Sequence, residues 1–223
     1  MSHYTVTIIL PEKPKDPIHL QEMISTLVAP FDENERVDQY KSYVEPVNEN
    51  WRDMPSKELS WPYGWLKDDA PDLDLSDSTA VAKYLSERWP DEPHEADEDG
   101  LFAWSTYNPQ SKWDWWTVGG RWTGFYKLLP GRSGMTGEPG IFDNKADDGC
   151  VDMARKGDID ASERRMQTFS VLAEGVWKEP GKMGWFGMSS ETDSDQLNFD
   201  EWFQRFWDGL DDDAWLAVID AHI

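Results

Sequence analysis

The sequence predicts an α+β fold: a mostly antiparallel sheet with a Trp-rich central hairpin, covered by a few helices, with long irregular acidic loops. Three observations carry this. Residues 4–10 and 214–222 are apolar, β-branched runs of strand length. Residues 18–28 and 197–210 repeat apolar side chains at helical spacing. Strands and helices do not alternate as a βαβ series, which argues against a doubly wound parallel sheet.

Taken in order, the strand over 4–10 stops at Pro11, which cannot continue a central strand. Pro17 suits the first turn of a helix over 18–28. There Ile18, Met23, Ile24, Leu27 and Val28 gather on one side, and Pro30 closes the run. Residues 45–75 scatter prolines with Trp51, Trp61 and Trp65 without a period, the pattern of a loop pinned by aromatic anchors. Asp77 is placed to cap a short helix ending near Trp89, with Val81, Tyr84 and Leu85 inward. Residues 101–107 read as a strand, 143–155 as a helix, 168–174 as a strand and 177–188 as a turn-rich aromatic segment. In the helix over 197–210, Asn198 is the expected cap and Phe199, Trp202, Phe203, Phe206 and Leu210 the buried stripe. The expectation is a single domain over residues 1–223, with a loop-rich acidic insertion at about residues 45–100.

The most unusual stretch is residues 108–122, which holds four of the chain's 14 tryptophans, a Gly-Gly pair and Arg121. Two glycines supply the positive φ of a tight turn, so residues 113–118 and 121–128 are expected to form a hairpin around Gly119-Gly120. Strand alternation then puts Trp113, Trp115, Thr117, Trp122, Gly124 and Tyr126 on a core face. Asp114, Trp116, Val118, Arg121, Thr123 and Phe125 fall on the other. Such a hairpin serves either as a Trp-stapled core element with Arg121 stacked on an indole, or as a platform for a planar anionic ligand such as a nucleotide. The ligand-binding candidates are Asp114, Trp116 and Arg121, with Trp113, Trp115 and Trp122 as walls. Local charge favours this, since residues 110–134 carry Lys112, Arg121, Lys127 and Arg132 against one acid, Asp114.

That island stands out in a chain of formal charge -23. A field of that sign repels phosphate backbones, so binding to duplex nucleic acid or an anionic membrane is not expected. No run of about 18 apolar residues exists to span a membrane, and the opening residues lack the basic region and cleavage site of a secretory signal. Cys150 is the single cysteine, which excludes an internal disulfide or a cysteine-based zinc site. Residues 67–99 hold twelve acidic and three basic side chains. Such a run is a solvated face or, more specifically, an acidic surface that mimics nucleic acid towards a protein.

Catalytic candidates are fewer. Asp220 and His222, two residues apart on a strand, share one face and form a possible acid–base pair, with Asp114 as a third member. His3 joins them if the first and last strands pair. Asp143, Asp147, Asp148 and Asp152 are a weak cation candidate whose spacing fits no calcium loop. No phosphate-binding glycine motif or nucleophile elbow is present. No metal or cofactor is expected.

The segments Ala29-Pro-Phe-Asp-Glu-Asn34, Asn108-Pro, Lys112-Trp-Asp-Trp, Gly119-Gly-Arg-Trp122, Met183-Gly-Trp-Phe-Gly187 and Val218-Ile-Asp-Ala-His-Ile223 resemble uncharacterised proteins of tailed bacteriophages and prophages, notably those of actinobacteria. In such proteins a cysteine often stands where Ala221 is found. The resemblance implies work inside the cytoplasm of an infected bacterium, in an accessory, host-modulating or anti-defence role. Three functions follow as expectations: binding of a host protein or a nucleotide-like anion at the hairpin, metal-assisted hydrolysis or transfer by Asp114, Asp220 and His222, or acidic mimicry.

Overall fold

The computed structural model describes residues 2–137, 145–162, 166–184 and 187–223. The chain divides into two compact units, one of Met1–Glu35 with Asn108–Ile223 and one of Arg36–Tyr107. The fold class is α+β.

The larger unit is organised by its first and last strands. β1 (His3–Leu10) and β11 (Trp215–His222) pair antiparallel along their whole length, from His3 against His222 to Leu10 against Trp215. Beyond β1 lies β9 (Ser170–Ala173), in parallel, and then β10 (Val176–Lys178). Two short strands share the other side of β11: β8 (Met153–Arg155) takes its first half and β5 (Trp115–Val118) its second. Alternation along β11 sorts the core. Ala217, Ile219 and Ala221 face a cluster with Val6, Ile8 and the helix α1 (Pro17–Val28). Leu216 and Val218 face a cluster with the helix α4 (Asp193–Gly209).

The helices follow their caps. The Asp16 side chain accepts the His19 N–H at 2.9 Å and Pro17 fills the first helical position. α1 buries Leu20, Ile24 and Val28, a spacing of four, so Ile18 on the first turn points outward and is exposed. α4 starts earlier than its aromatic stripe suggests. Thr192, not Asn198, is the cap, and Asp195 completes a capping box.

The expected hairpin does not form. β5 pairs with β11, while β6 (Tyr126–Lys127) pairs with β7 (Cys150–Val151). Gly120–Trp122 is a 3-10 turn. Two buried carboxylates hold the segment in its other path, and the captured groups include the Arg121 and Phe125 N–H groups that the hairpin ladder would use. Asp220 Oδ2 accepts the Arg121 N–H at 3.0 Å, and Asp152 Oδ1 accepts those of Gly124 at 2.5 Å and Phe125 at 3.3 Å. The face assignment that paired Trp115 with Gly124 therefore falls with the hairpin. Within the segment expected as a helix over 143–155, residues 143–144 lie outside the described residues. The rest forms β7 and β8, led in by Gly149 at φ +72°.

The second unit is a three-stranded antiparallel sheet in the order β2 (Arg36–Tyr43), β4 (Gly100–Tyr107), β3 (His94–Asp97), packed with α2 (Tyr63–Asp69) and α3 (Ser78–Arg88). Asp77 caps α3 through the Thr79 and Ala80 N–H groups. Residues 45–75 are largely irregular and anchored by Trp51, as expected, but they also carry α2, and Trp61 is exposed. Trp51, Tyr63, Leu66 and Leu75 join Val81, Leu85 and Leu101 in a core. The Lys67 ammonium holds the irregular part by donating to the carbonyls of Trp51, Arg52 and Met54 at 2.8, 2.7 and 2.6 Å.

A Cβ on Gly120 (φ +56°) would lie 2.5 Å from Asp220 Cβ, and one on Gly119 (φ +70°) would strike the Asp152 carboxylate. Gly131 has a similar φ of +78° with open space around it. In urea unfolding, Gly131→Ala should cost about 1 kcal/mol for its backbone alone. Gly119→Ala and Gly120→Ala should each cost about 3 kcal/mol or more, because a steric clash is added.

Candidate active site

The pairing of β1, β11 and β5 lays out two cross-strand rows on one face of the sheet. Thr5, Asp220 and Thr117 form one row, and His3, His222 and Trp115 form the next. This is the face that carries α4 further along, as Asp220 and His222 continue the alternation of Leu216 and Val218.

Each imidazole is held by its own carboxylate. His222 Nδ1 lies 2.6 Å from Asp114 Oδ1, and His3 Nδ1 lies 2.8 Å from Asp220 Oδ1. The two rings stand edge to face with centroids 4.9 Å apart. An ionised carboxylate only accepts, so in each such couple the ring nitrogen facing it, Nδ1, is the donor. The His3 and His222 side chains are 9% and 11% exposed. They are therefore largely desolvated yet still reach solvent.

The four groups differ in how they are fixed. Asp220 is fully buried and joins His3 to the Arg121 N–H. Asp114 is half exposed, but its backbone N–H donates to the His222 carbonyl at 2.9 Å, so backbone and side chain grip one residue. The segment that carries Asp114 is anchored in turn. The Asn108 amide donates to the carbonyls of Pro30 and Asp32 at 2.9 and 3.0 Å, and the Trp113 indole donates to Val28 O at 3.0 Å. Gly187 N–H donates to Ser2 Oγ at 2.6 Å, beside His3. Segments 29–34, 108–122, 183–187 and 218–223 thus meet around one place, with residues 185–186 outside the described residues.

The sequence-predicted residues separate accordingly. Asp114 and His222 come together, and Asp220 joins through His3. Trp113 is buried with its indole bonded into the core, so it is no ligand wall. Trp116 is half-buried against the α1 cluster and Trp122 is half-buried. Trp115 is the exposed tryptophan of the string, with its ring 6.2 Å from that of His3. Arg121 is exposed, next to Asp220 through its backbone. Two of the island's four cations are paired with carboxylates, Lys112 with Glu179 at 2.6 Å and Arg132 with Asp158 at 3.3 Å, while Lys127 donates to the Asp148 carbonyl at 2.7 Å.

The proposed aspartate cation site is not assembled. Asp143 lies outside the described residues. Asp152 is fully buried and accepts the N–H groups of Gly124, Phe125 and Gly137. Burial pushes its carboxyl above the usual carboxylate value, and those three donors pull the other way. Its work is to hold the turn. Among the described residues no three His, Cys, Asp or Glu side chains cluster as metal ligands. No helix among them is long and apolar enough to cross a membrane.

Comparison with family models, with curated proteins and with solved structures gives no match.

Trp113→Ala should cost about 3–5 kcal/mol in chemical denaturation, as for a buried aromatic truncation. Trp115→Ala should cost less than about 1 kcal/mol. Asp152→Ala should lose about 3 kcal/mol or more, since three buried N–H groups are left without an acceptor.

Proposed function

We propose that this chain is an acid–base enzyme, a hydrolase or transferase, centred on the Asp114–His222 and Asp220–His3 couples. One observation carries the reading: two imidazoles with centroids 4.9 Å apart, each held through Nδ1 by a separate carboxylate. Two coupled histidines can divide a displacement between them. One Nε2 takes the proton of the attacking water or hydroxyl, while the other, as imidazolium, gives a proton to the leaving group. The carboxylates orient the rings and stabilise the imidazolium that forms. Trp115, exposed and with its ring 6.2 Å from that of His3, offers a face for a planar group. The accessory role in an infected bacterium, implied by the phage resemblance, is kept as the setting of this chemistry.

The exposure of Trp115 also suits a second reading, in which a nucleotide-like anion is held without turnover. Mimicry of nucleic acid has less support. Asp74, Asp77, Asp160 and Asp195 spend their carboxylates on neighbouring N–H and hydroxyl groups of turns and caps.

Activated esters and phosphodiesters, including cyclic and linear nucleotides, serve as probes. Turnover should follow a bell-shaped pH profile and fall about 10²–10⁴-fold in His222→Gln and in His3→Gln. Each variant should lose one limb of the bell. Full turnover in both variants contradicts the proposal. Micromolar binding with quantitative recovery of the nucleotide supports the sequestering reading instead.

A further inference from the structure

The second unit contains a cleft of about 1060 Å³ that the acid–base centre does not use. It lies where a strand is missing. β3 begins at His94, opposite Ala103, and among the described residues no strand pairs with β4 on that side from Trp104 to Thr106. The cause is local. Pro93 has no N–H to extend the ladder, and both backbone groups of His94 are taken by the Ser86 hydroxyl at 2.9 and 2.8 Å. The chain before it turns away, with Glu92 N–H donating to Trp89 O. On the other side, Val44 N–H donates to Leu101 O, so alternation aims the backbone groups of Trp104 and Thr106 at the open side. A short length of β-edge thus lines the cleft.

The chemistry of the walls selects the chain. Asp91, Glu92 and Glu45 line the cleft against a single cation, Arg36. Residues 36–107 hold seventeen Asp and Glu against seven Lys and Arg. Trp61, 61% exposed, stands at the cleft with its ring stacked on Trp89 at 6.3 Å. Arg36 already lies over the Tyr107 ring at 5.6 Å, a cation on an aromatic face within the same cleft.

We propose that this cleft docks a basic, extended segment of a partner protein, which adds as a strand along β4 at Trp104–Thr106 and sets a Lys or Arg side chain against Trp61 and the surrounding carboxylates. Main-chain hydrogen bonds supply affinity, and the acidic aromatic wall supplies selection. The site is independent of the acid–base centre.

The probe is a capped ten-residue peptide of alternating Arg and Thr, titrated into the full chain by calorimetry. Two further peptides of identical charge carry N-methyl groups on the odd or on the even amides. The expected result is binding of the parent peptide, with at least a tenfold loss for one methylated peptide and little for the other, because only one edge of a strand meets β4. Trp61→Ala should weaken the parent peptide about tenfold, and circular dichroism checks that the variant keeps its fold. Equal binding of all three peptides means non-specific attraction to an acidic protein and overturns the proposal. So does binding of a neutral oligosaccharide such as cellohexaose in place of the peptide, or no binding of the parent at millimolar concentration.

Discussion

The structure of the larger unit depends on a single buried carboxylate, that of Asp220. It has no exposure, sits opposite Thr5 near one end of the antiparallel pairing between the first and last strands, and accepts from two directions. The His3 ring bonds it from β1, and the Arg121 N–H bonds it from the turn after β5. A buried charge with such partners is costly to strip of them. Asp220 therefore couples the strand pairing, the Gly-Gly turn and the orientation of His3. The same atoms that close the sheet build one half of the candidate site.

Much of this was legible in the sequence. The apolar runs at residues 4–10 and 214–222 are strands because β-branched side chains fill both faces of a buried sheet, and the two-residue spacing of Asp220 and His222 places both on one face. The convergence of Asp114 with His222 was open to view only as a possibility, since nothing local says that β5 lies beside β11. His3 entered only on condition that the outer strands pair. What defeated the reading of residues 113–128 was a long-range effect. Gly-Gly is the usual mark of a hairpin, but here the glycines are demanded by the packing of Asp152 and Asp220 against their Cα atoms. A local rule cannot see a carboxylate supplied from about thirty or a hundred residues away.

The second unit was legible in α3, with its Asp77 cap, and in β4, but not in β2 or in the core over residues 45–75. β2 has the sequence Arg-Val-Asp-Gln-Tyr-Lys-Ser-Tyr, and nearly all of it is exposed, so it carries no apolar alternation to detect. The core over residues 45–75 depends on Lys67 gathering three carbonyls, an interaction without a motif. The acidic residues over 67–99 are solvated as the composition suggests, but they sit on caps, turns and the walls of a cleft as well as on loops. Net charge described the surface of this unit and said nothing of its fold.

The central claim is that each histidine is held through Nδ1 by its own carboxylate, leaving Nε2 for proton transfer. Nitrogen-15 NMR of the imidazoles tests this directly, because it distinguishes the two tautomers and detects a hydrogen-bonded Nδ1–H. Both neutral rings should be Nδ1–H, Asp220→Asn should perturb His3 first, and Asp114→Asn should perturb His222 first. Two Nε2–H rings, insensitive to both substitutions, would contradict the claim.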